Sequence, residues 1–216
     1  MCHTFQVWRI SSKFQNHLSM LKVGITGGIG SGKSVVCQVF KTLGIPIFNA
    51  DETARYLMEN DTTLVQRIQW LLGDDVYLDG KLDREKVSAI IFKEPEKLEK
   101  LNSIVHPATI SYANTWMEKQ VAPYVIKEAA IFFESGSFKD IDIMVGVFAP
   151  KELRIQRAMD RSKISRDKVE AIIAKQIDED EKMKRCDHVI TNDDITPVLP
   201  QVLKLHELFL HSRNNA

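Results

Sequence analysis

The sequence is poor in cysteine, has no surplus of either charge and contains no long apolar run. Its three cysteines, Cys2, Cys37 and Cys186, are odd in number and form no C-x-x-C pair, so they supply neither a disulfide framework nor a zinc site. A reducing, cytoplasmic compartment suits that usage. The 29 basic residues balance 29 acidic ones, and the zero net charge gives no global field that would mark a nucleic-acid or membrane-surface binder. No uninterrupted apolar stretch approaches the roughly 18 residues a membrane helix needs. Internal repeats and low-complexity tracts are also absent. The apolar fraction of 44% and charged fraction of 27% are those of a globular chain, and 216 residues suffice for one domain with an insertion or for two small ones.

Residues 1–19 stand apart. They hold Arg9 and Lys13 but no acid, lack the apolar core of a signal peptide, and have too few arginines for a transit peptide. They read as a disordered extension, and the fold is read from Met20 onward.

Leu21 to Thr26 is a short apolar run ending in glycines, the pattern of a buried strand. A helix should start near Lys33 and stop at Gly44. Ile45 to Phe48 reads as a second strand, and Asp51 as the N-cap of the next helix. Helical patterns then cover 51–60, 62–72, 83–93 and 96–119, with a small turn at Tyr77 to Leu82, and Pro95 and Pro107 each open a helix or a new turn. Strand character returns at Tyr124 to Phe133 and at Ile141 to Phe148, both apolar enough to be covered on two faces. A charged helical region spans 150–185. His188 to Thr191 is a last strand, before a helix that Pro197 should open. Strands alternating with helices predict an α/β fold with a parallel sheet, interrupted by a helical insertion at 51–120.

Gly27-Gly28-Ile29-Gly30-Ser31-Gly32-Lys33-Ser34 fits G-x-x-x-x-G-K-[ST] without a mismatch, between a strand and a helix. Glycines let successive backbone N–H groups turn inward around phosphate oxygens, and the helix N-terminus adds its dipole to the same spot. Lys33 can reach the β- and γ-phosphates, and the Ser34 hydroxyl can ligate Mg²⁺. The loop predicts a nucleoside triphosphate as ligand.

Three further features point to phosphoryl transfer. Asp51 lies at the carboxyl end of the second strand, where α/β sheets bind ligands, and could take a proton from an attacking hydroxyl or help hold a metal; it could also be a helix cap alone. Arg154, Arg157 and Arg161, spaced i, i+3, i+7, share a helix face and could close over the transferred phosphoryl, or form a solvated charged face. Glu128, a charge inside an apolar strand, is either near the magnesium or a buried structural acid. His106 has no evident partner in the sequence. A kinase for a nucleoside, a nucleotide or another small hydroxyl acceptor would use this core, and a nucleotide-dependent switch could share the loop.

The region 21–212 resembles the dephospho-coenzyme A kinases. The matching segments are TGGIGSGKS at 26–34, NADETAR at 49–55, LNSIVHP at 101–107, AAIFFESG at 129–136, QRAMDR at 156–161 and CDHVITND at 186–193. The resemblance implies a phosphate-loop core (20–50, 121–149 and 186–216), a helical acceptor-binding domain (51–120) and a helical lid (150–185). It implies transfer of the γ-phosphoryl of ATP, with Mg²⁺, to the ribose 3′-hydroxyl of dephospho-coenzyme A. It places Asp51 as catalytic base, Arg55 and His106 at the acceptor, Lys33, Arg157 and Arg161 at the phosphoryl, and Asn192 near the adenine. ATP would meet Gly28, Ile29, Gly30, Ser31, Gly32, Lys33, Ser34 and Val35, with Ser34 as the metal ligand. No nucleic acid or membrane is implied as a partner. Four positions depart from the family: Asn49 where the first acid of D-A-D is common, Val35 where a hydroxyl residue is common, Glu128 for an aspartate, and Ser162 for an aspartate.

Overall fold

A computed structural model describes residues 20–212; the extension expected at 1–19 lies outside them. In chain order the elements are β1 (Leu21–Thr26), α1 (Lys33–Thr42), β2 (Ile47–Asn49), α2 (Ala50–Asn60), α3 (Thr62–Leu72), β3 (Tyr77–Leu78), β4 (Lys81–Leu82), α4 (Arg84–Lys93) and α5 (Pro95–Glu118). Then come β5 (Tyr124–Glu128), β6 (Ile143–Phe148), α6 (Lys151–Ser162), α7 (Arg166–Ile173), α8 (Glu179–Lys184), β7 (His188–Thr191) and α9 (Val198–Ser212).

Five strands form one parallel sheet in the order β2-β5-β1-β6-β7. β1 is central and covered on both sides: Val23 and Ile25 are fully buried on one face, and Gly24 and Thr26 are buried on the other. On one face α1 and α9 contribute Val36, Phe40, Val202, Leu205 and Phe209 to the core. There Phe40 stacks on Phe209 with ring centroids 6.3 Å apart, Tyr124 meets Phe209 edge-on at 5.3 Å, and the Tyr124 hydroxyl lies 2.6 Å from His206 Nδ1. On the other face Ala113 and Met117 of α5 pack on Phe48 and Val125. α2 to α5 enclose a second apolar cluster around Leu57, Leu64, Ile68, Val87 and Leu101.

Several elements differ from the sequence reading. β5 ends at Glu128, not Phe133; Ala129 and Phe132 are apolar because they pack against Met144, after the chain has left the sheet. Asn49, not Asp51, caps α2: its Oδ1 accepts from the Glu52 N–H at 2.9 Å, which leaves the Asp51 carboxylate free of that duty. Pro107 starts nothing and lies inside the 24-residue α5, whereas Pro95 opens it. Residues 77–82 are a two-stranded hairpin. The helical region 150–185 is divided into three helices, and α9 begins one residue after Pro197 instead of at it. No helix among the described residues is long and apolar enough to cross a membrane.

Phe209 joins α9 to both Phe40 and Tyr124, so truncation would leave a cavity the size of its ring between those two aromatics. Phe209→Ala should cost about 3–5 kcal/mol of stability, measured by urea unfolding. A cost below about 1 kcal/mol would mean that α9 is not part of the cooperative core.

Candidate active site

The backbone of the glycine loop is pressed against Arg154 of α6. Gly30 has φ 78° and a Cβ there would lie 2.1 Å from the Arg154 carbonyl oxygen; one on Gly28 would lie 1.9 Å from Arg154 Nη1. Only glycine meets both demands. Arg154 is buried and pairs with Glu179 at 3.3 Å. Glu179 Oε1 accepts from the Gly28 N–H and Gln176 Oε1 from the Ile29 N–H, both at 3.2 Å. Arg154 therefore leaves the predicted arginine face and becomes a brace of the loop.

Above the loop lies a cleft of about 680 Å³ lined by Ile29, Gly30, Gly32, Lys33, Ser34 and Val35, by Asp51 and Arg55 of α2, and by Arg157 and Arg161 of α6. Gly28 and Ser31 lie in the loop but do not line the cleft. Asn192 stands beneath it, its Nδ2 donating to the Ser31 carbonyl at 2.9 Å, so its amide shapes the loop rather than facing the cleft. Lys33 Nζ donates to the Gly27 carbonyl at 2.8 Å. Burial pushes the Lys33 ammonium below the usual lysine value, against the pull of Glu128 and Asp51. Arg157 is committed to the Asp194 carboxylate and to the Asn192 carbonyl, the latter at 3.0 Å. Arg161 has neither ion pair nor hydrogen bond among the described residues and is exposed to the cleft.

Glu128 also lines the cleft. It accepts from Ser34 Oγ at 3.4 Å and from Asn49 Nδ2 at 3.3 Å. Ser34 and Glu128 thus present hard oxygen donors beside the loop, the chemistry Mg²⁺ prefers. Burial holds the Glu128 carboxyl above the usual carboxylate range; Lys33 offsets part of this and Asp51 adds to it.

A second cavity, of about 230 Å³, opens between α2, α5 and the chain following β5. Its walls include Met58, Leu101, Val105, His106 and Lys127, and at its mouth stands Asp51. Asp51 thus borders both spaces, because α2 starts at the end of β2 and runs between them. Burial alone holds the His106 imidazole below its usual value. Arg55, one turn beyond Asp51, faces the phosphate cleft and not this cavity.

A loop for nucleotide phosphates on one side of a carboxylate and a pocket for a second molecule on the other is the layout of a small-molecule kinase. The family model for dephospho-CoA kinase matches residues 21–197. The chain belongs to the dephospho-CoA kinase family. A dephospho-CoA kinase of Bacteroides fragilis is 34% identical over 186 residues, covering 86% of this chain and 91% of that protein. A crystal structure from Thermus thermophilus superposes with a TM-score of 0.76 at 32% identity, covering 89% of this chain and 97% of that one. Dephospho-CoA kinase from Campylobacter jejuni shares the fold, with a TM-score of 0.65 at 24% identity and coverage of 88% and 98%.

Sequence reasoning missed several residues of this dephospho-CoA kinase family site. Glu179 and Gln176 hold the loop from a region read only as charged helix, and Lys127 was hidden in an apolar strand. The charge within that strand was the available signal. Glu128 yields a stability test, because a carboxyl raised in the fold costs nothing below its unfolded value of about 4.3 and costs stability as the pH rises through the folded value. Glu128→Gln should therefore melt above wild type at pH 7, and the two should converge as the pH falls toward 4. A variant that melts below wild type at pH 7 would show that pairing with Lys33 outweighs burial.

Proposed function

We propose that the protein transfers the γ-phosphoryl of ATP to the 3′-hydroxyl of the ribose in dephospho-coenzyme A, giving coenzyme A and ADP. The observation that carries this reading is the position of Asp51 on the wall shared by the phosphate cleft and the cavity between α2 and α5. Residues 20–50, 121–149 and 186–216 act as the nucleotide core, 51–120 as the acceptor domain and 150–185 as the lid. The reaction belongs to the cytoplasm in this reading.

ATP lies on the loop with its β- and γ-phosphates met by backbone N–H groups, the α1 dipole and Lys33. Ser34 and Glu128 would hold Mg²⁺, which when bound neutralises charge on the phosphates. The acceptor ribose is presented from the α2–α5 cavity, so its hydroxyl meets Asp51 on the side facing the γ-phosphoryl. Asp51 accepts the hydroxyl proton as the new P–O bond forms and the bond to ADP breaks. Arg55, exposed on the phosphate side, and His106, neutral at physiological pH in the acceptor wall, orient the two substrates. Arg161, free of partners among the described residues, meets the charge spreading on the transferred phosphoryl, while Arg157 anchors α6 to the 192–194 turn.

The deciding experiment follows ADP release with ATP, Mg²⁺ and dephospho-coenzyme A or a panel of nucleoside monophosphates. Release dependent on dephospho-coenzyme A, with a product heavier by one phosphate, is expected; release with another acceptor only would overturn the assignment. Asp51→Asn should lower turnover at least about 10²-fold, the scale of a lost general base, with the KM for ATP little changed. Arg161→Ala should lower single-turnover rates more than Arg157→Ala does, and equal rates in wild type and Arg161→Ala would remove the arginine from the chemistry.

A further inference from the structure

Two lysines are almost wholly buried, and they are treated differently. Lys182 is 0% exposed and its Nζ has two partners, the Glu134 carboxylate at 3.1 Å and the Ala130 carbonyl at 2.8 Å. Lys127 is 5% exposed, and among the described residues its Nζ has no carboxylate within ion-pair distance and no hydrogen-bond acceptor. Its contact is the face of Phe132, with Nζ 5.4 Å from the ring centroid. Such a contact offsets only part of what burying an unpaired ammonium costs. Asp140 attracts it from beyond ion-pair range and Lys22 repels it, and burial leaves the ammonium below the usual lysine value.

The side chain is not sealed in. Lys127 sits in the penultimate position of β5, in register with Phe48 of β2 and Gly24 of β1, and it lines the acceptor cavity together with Thr109, Ser135 and Ser137. Glu128, the next residue, lines the phosphate cleft instead. A cation at the wall of a cavity, with no carboxylate of the described residues within ion-pair distance, is complementary to an anion that arrives with the ligand.

We propose that Lys127 is a specificity-determining residue that binds the diphosphate of the acceptor. The inference rests on the reaction proposed above. In dephospho-coenzyme A the diphosphate joined to the ribose 5′-carbon carries the negative charge, and the base, ribose and pantetheine arm are neutral. With the 3′-hydroxyl at Asp51, the 5′-diphosphate hangs from the same ribose into the same cavity. Lys127 selects acceptors with that diphosphate over nucleosides that share the base and sugar. It acts on binding rather than on the transfer step.

Lys127→Met keeps the length and removes the charge. In the full chain with saturating ATP and Mg²⁺, its KM for dephospho-coenzyme A should rise about 10- to 100-fold, the range of a lost charge-assisted hydrogen bond. Its kcat and its KM for ATP should stay within about twofold of wild type, a split that a merely structural lesion would not give. Adenosine, which carries the base and ribose without the diphosphate, should inhibit wild type and variant alike. Lys127→Gln serves as the second variant if the first does not fold. An unchanged KM for dephospho-coenzyme A in either folded variant would overturn the proposal, as would weakening of adenosine in parallel. Wild-type protein inactive on dephospho-coenzyme A would overturn the reaction itself, a different result from an active wild type with an unaffected variant.

Discussion

Successive side chains of a strand point to opposite sides of the sheet, and β5 ends in two charges. Glu128 faces the cleft over the glycine loop, and Lys127 faces the cavity between α2 and α5. Both are largely buried, between β2 and β1, where an ion is expensive unless something answers it. The protein answers Glu128 with Ser34, Asn49 and the nearby Lys33. It leaves Lys127 with an aromatic face and an opening. A single strand end thus fixes the sign of charge on each side of the site, and a slip of one residue in its register would exchange the two. The register is held by the central position of β1, whose pairing with β5 runs from Leu21–Tyr124 to Ile25–Glu128.

The arginines of α6 are divided in a similar way between engaged and unengaged charge. Arg154, together with Glu179 and Gln176, braces the glycine loop from behind. Arg157 ties the same helix to the turn after β7. With those two guanidiniums engaged, Arg161 is the member of the series whose charge is available to a substrate. The region 150–185 also reaches the chain after β5 through Lys182 and Glu134. The helices of 150–185 therefore hold contacts both to the glycine loop and to the chain that borders the cavity between α2 and α5.

The bounds of the helices in 51–120 could be read to within a residue or so, because Asp61 and Asp83 cap α3 and α4 and Pro95 opens α5, whereas the cap of α2 and the place of Pro107 inside α5 could not. The glycine loop could be read because only those residue types make it. Pairing could not. The i, i+3, i+7 spacing puts three arginines on one side of α6, but a helix side spans a wide arc, and the first turn of α6 abuts the glycine loop. The run 124–133 looked like one strand because burial against a sheet and burial within it use the same apolar residues. The shared wall at Asp51 depends on the angle at which α2 leaves β2 and meets α5. Tertiary packing sets that angle, and no local pattern records it.

Asn49 and Glu128 show how a site can depart from its family without losing its shape. The resembling kinases commonly carry an acid at 49 and an aspartate at 128. In this chain Glu128 is one methylene longer, and its Oε2 reaches to within 3.3 Å of the residue-49 side chain. A carboxylate there could only accept hydrogen bonds, and two ionised carboxylates at that distance would repel in a partly buried setting. An amide resolves the conflict: its oxygen caps α2 through the Glu52 N–H while its nitrogen donates to Glu128. The longer acid and the neutral cap therefore fit as a pair, and either change alone would leave a repulsion or an unfilled gap. What they preserve together is the start of α2, and with it the position of Asp51 between the two spaces.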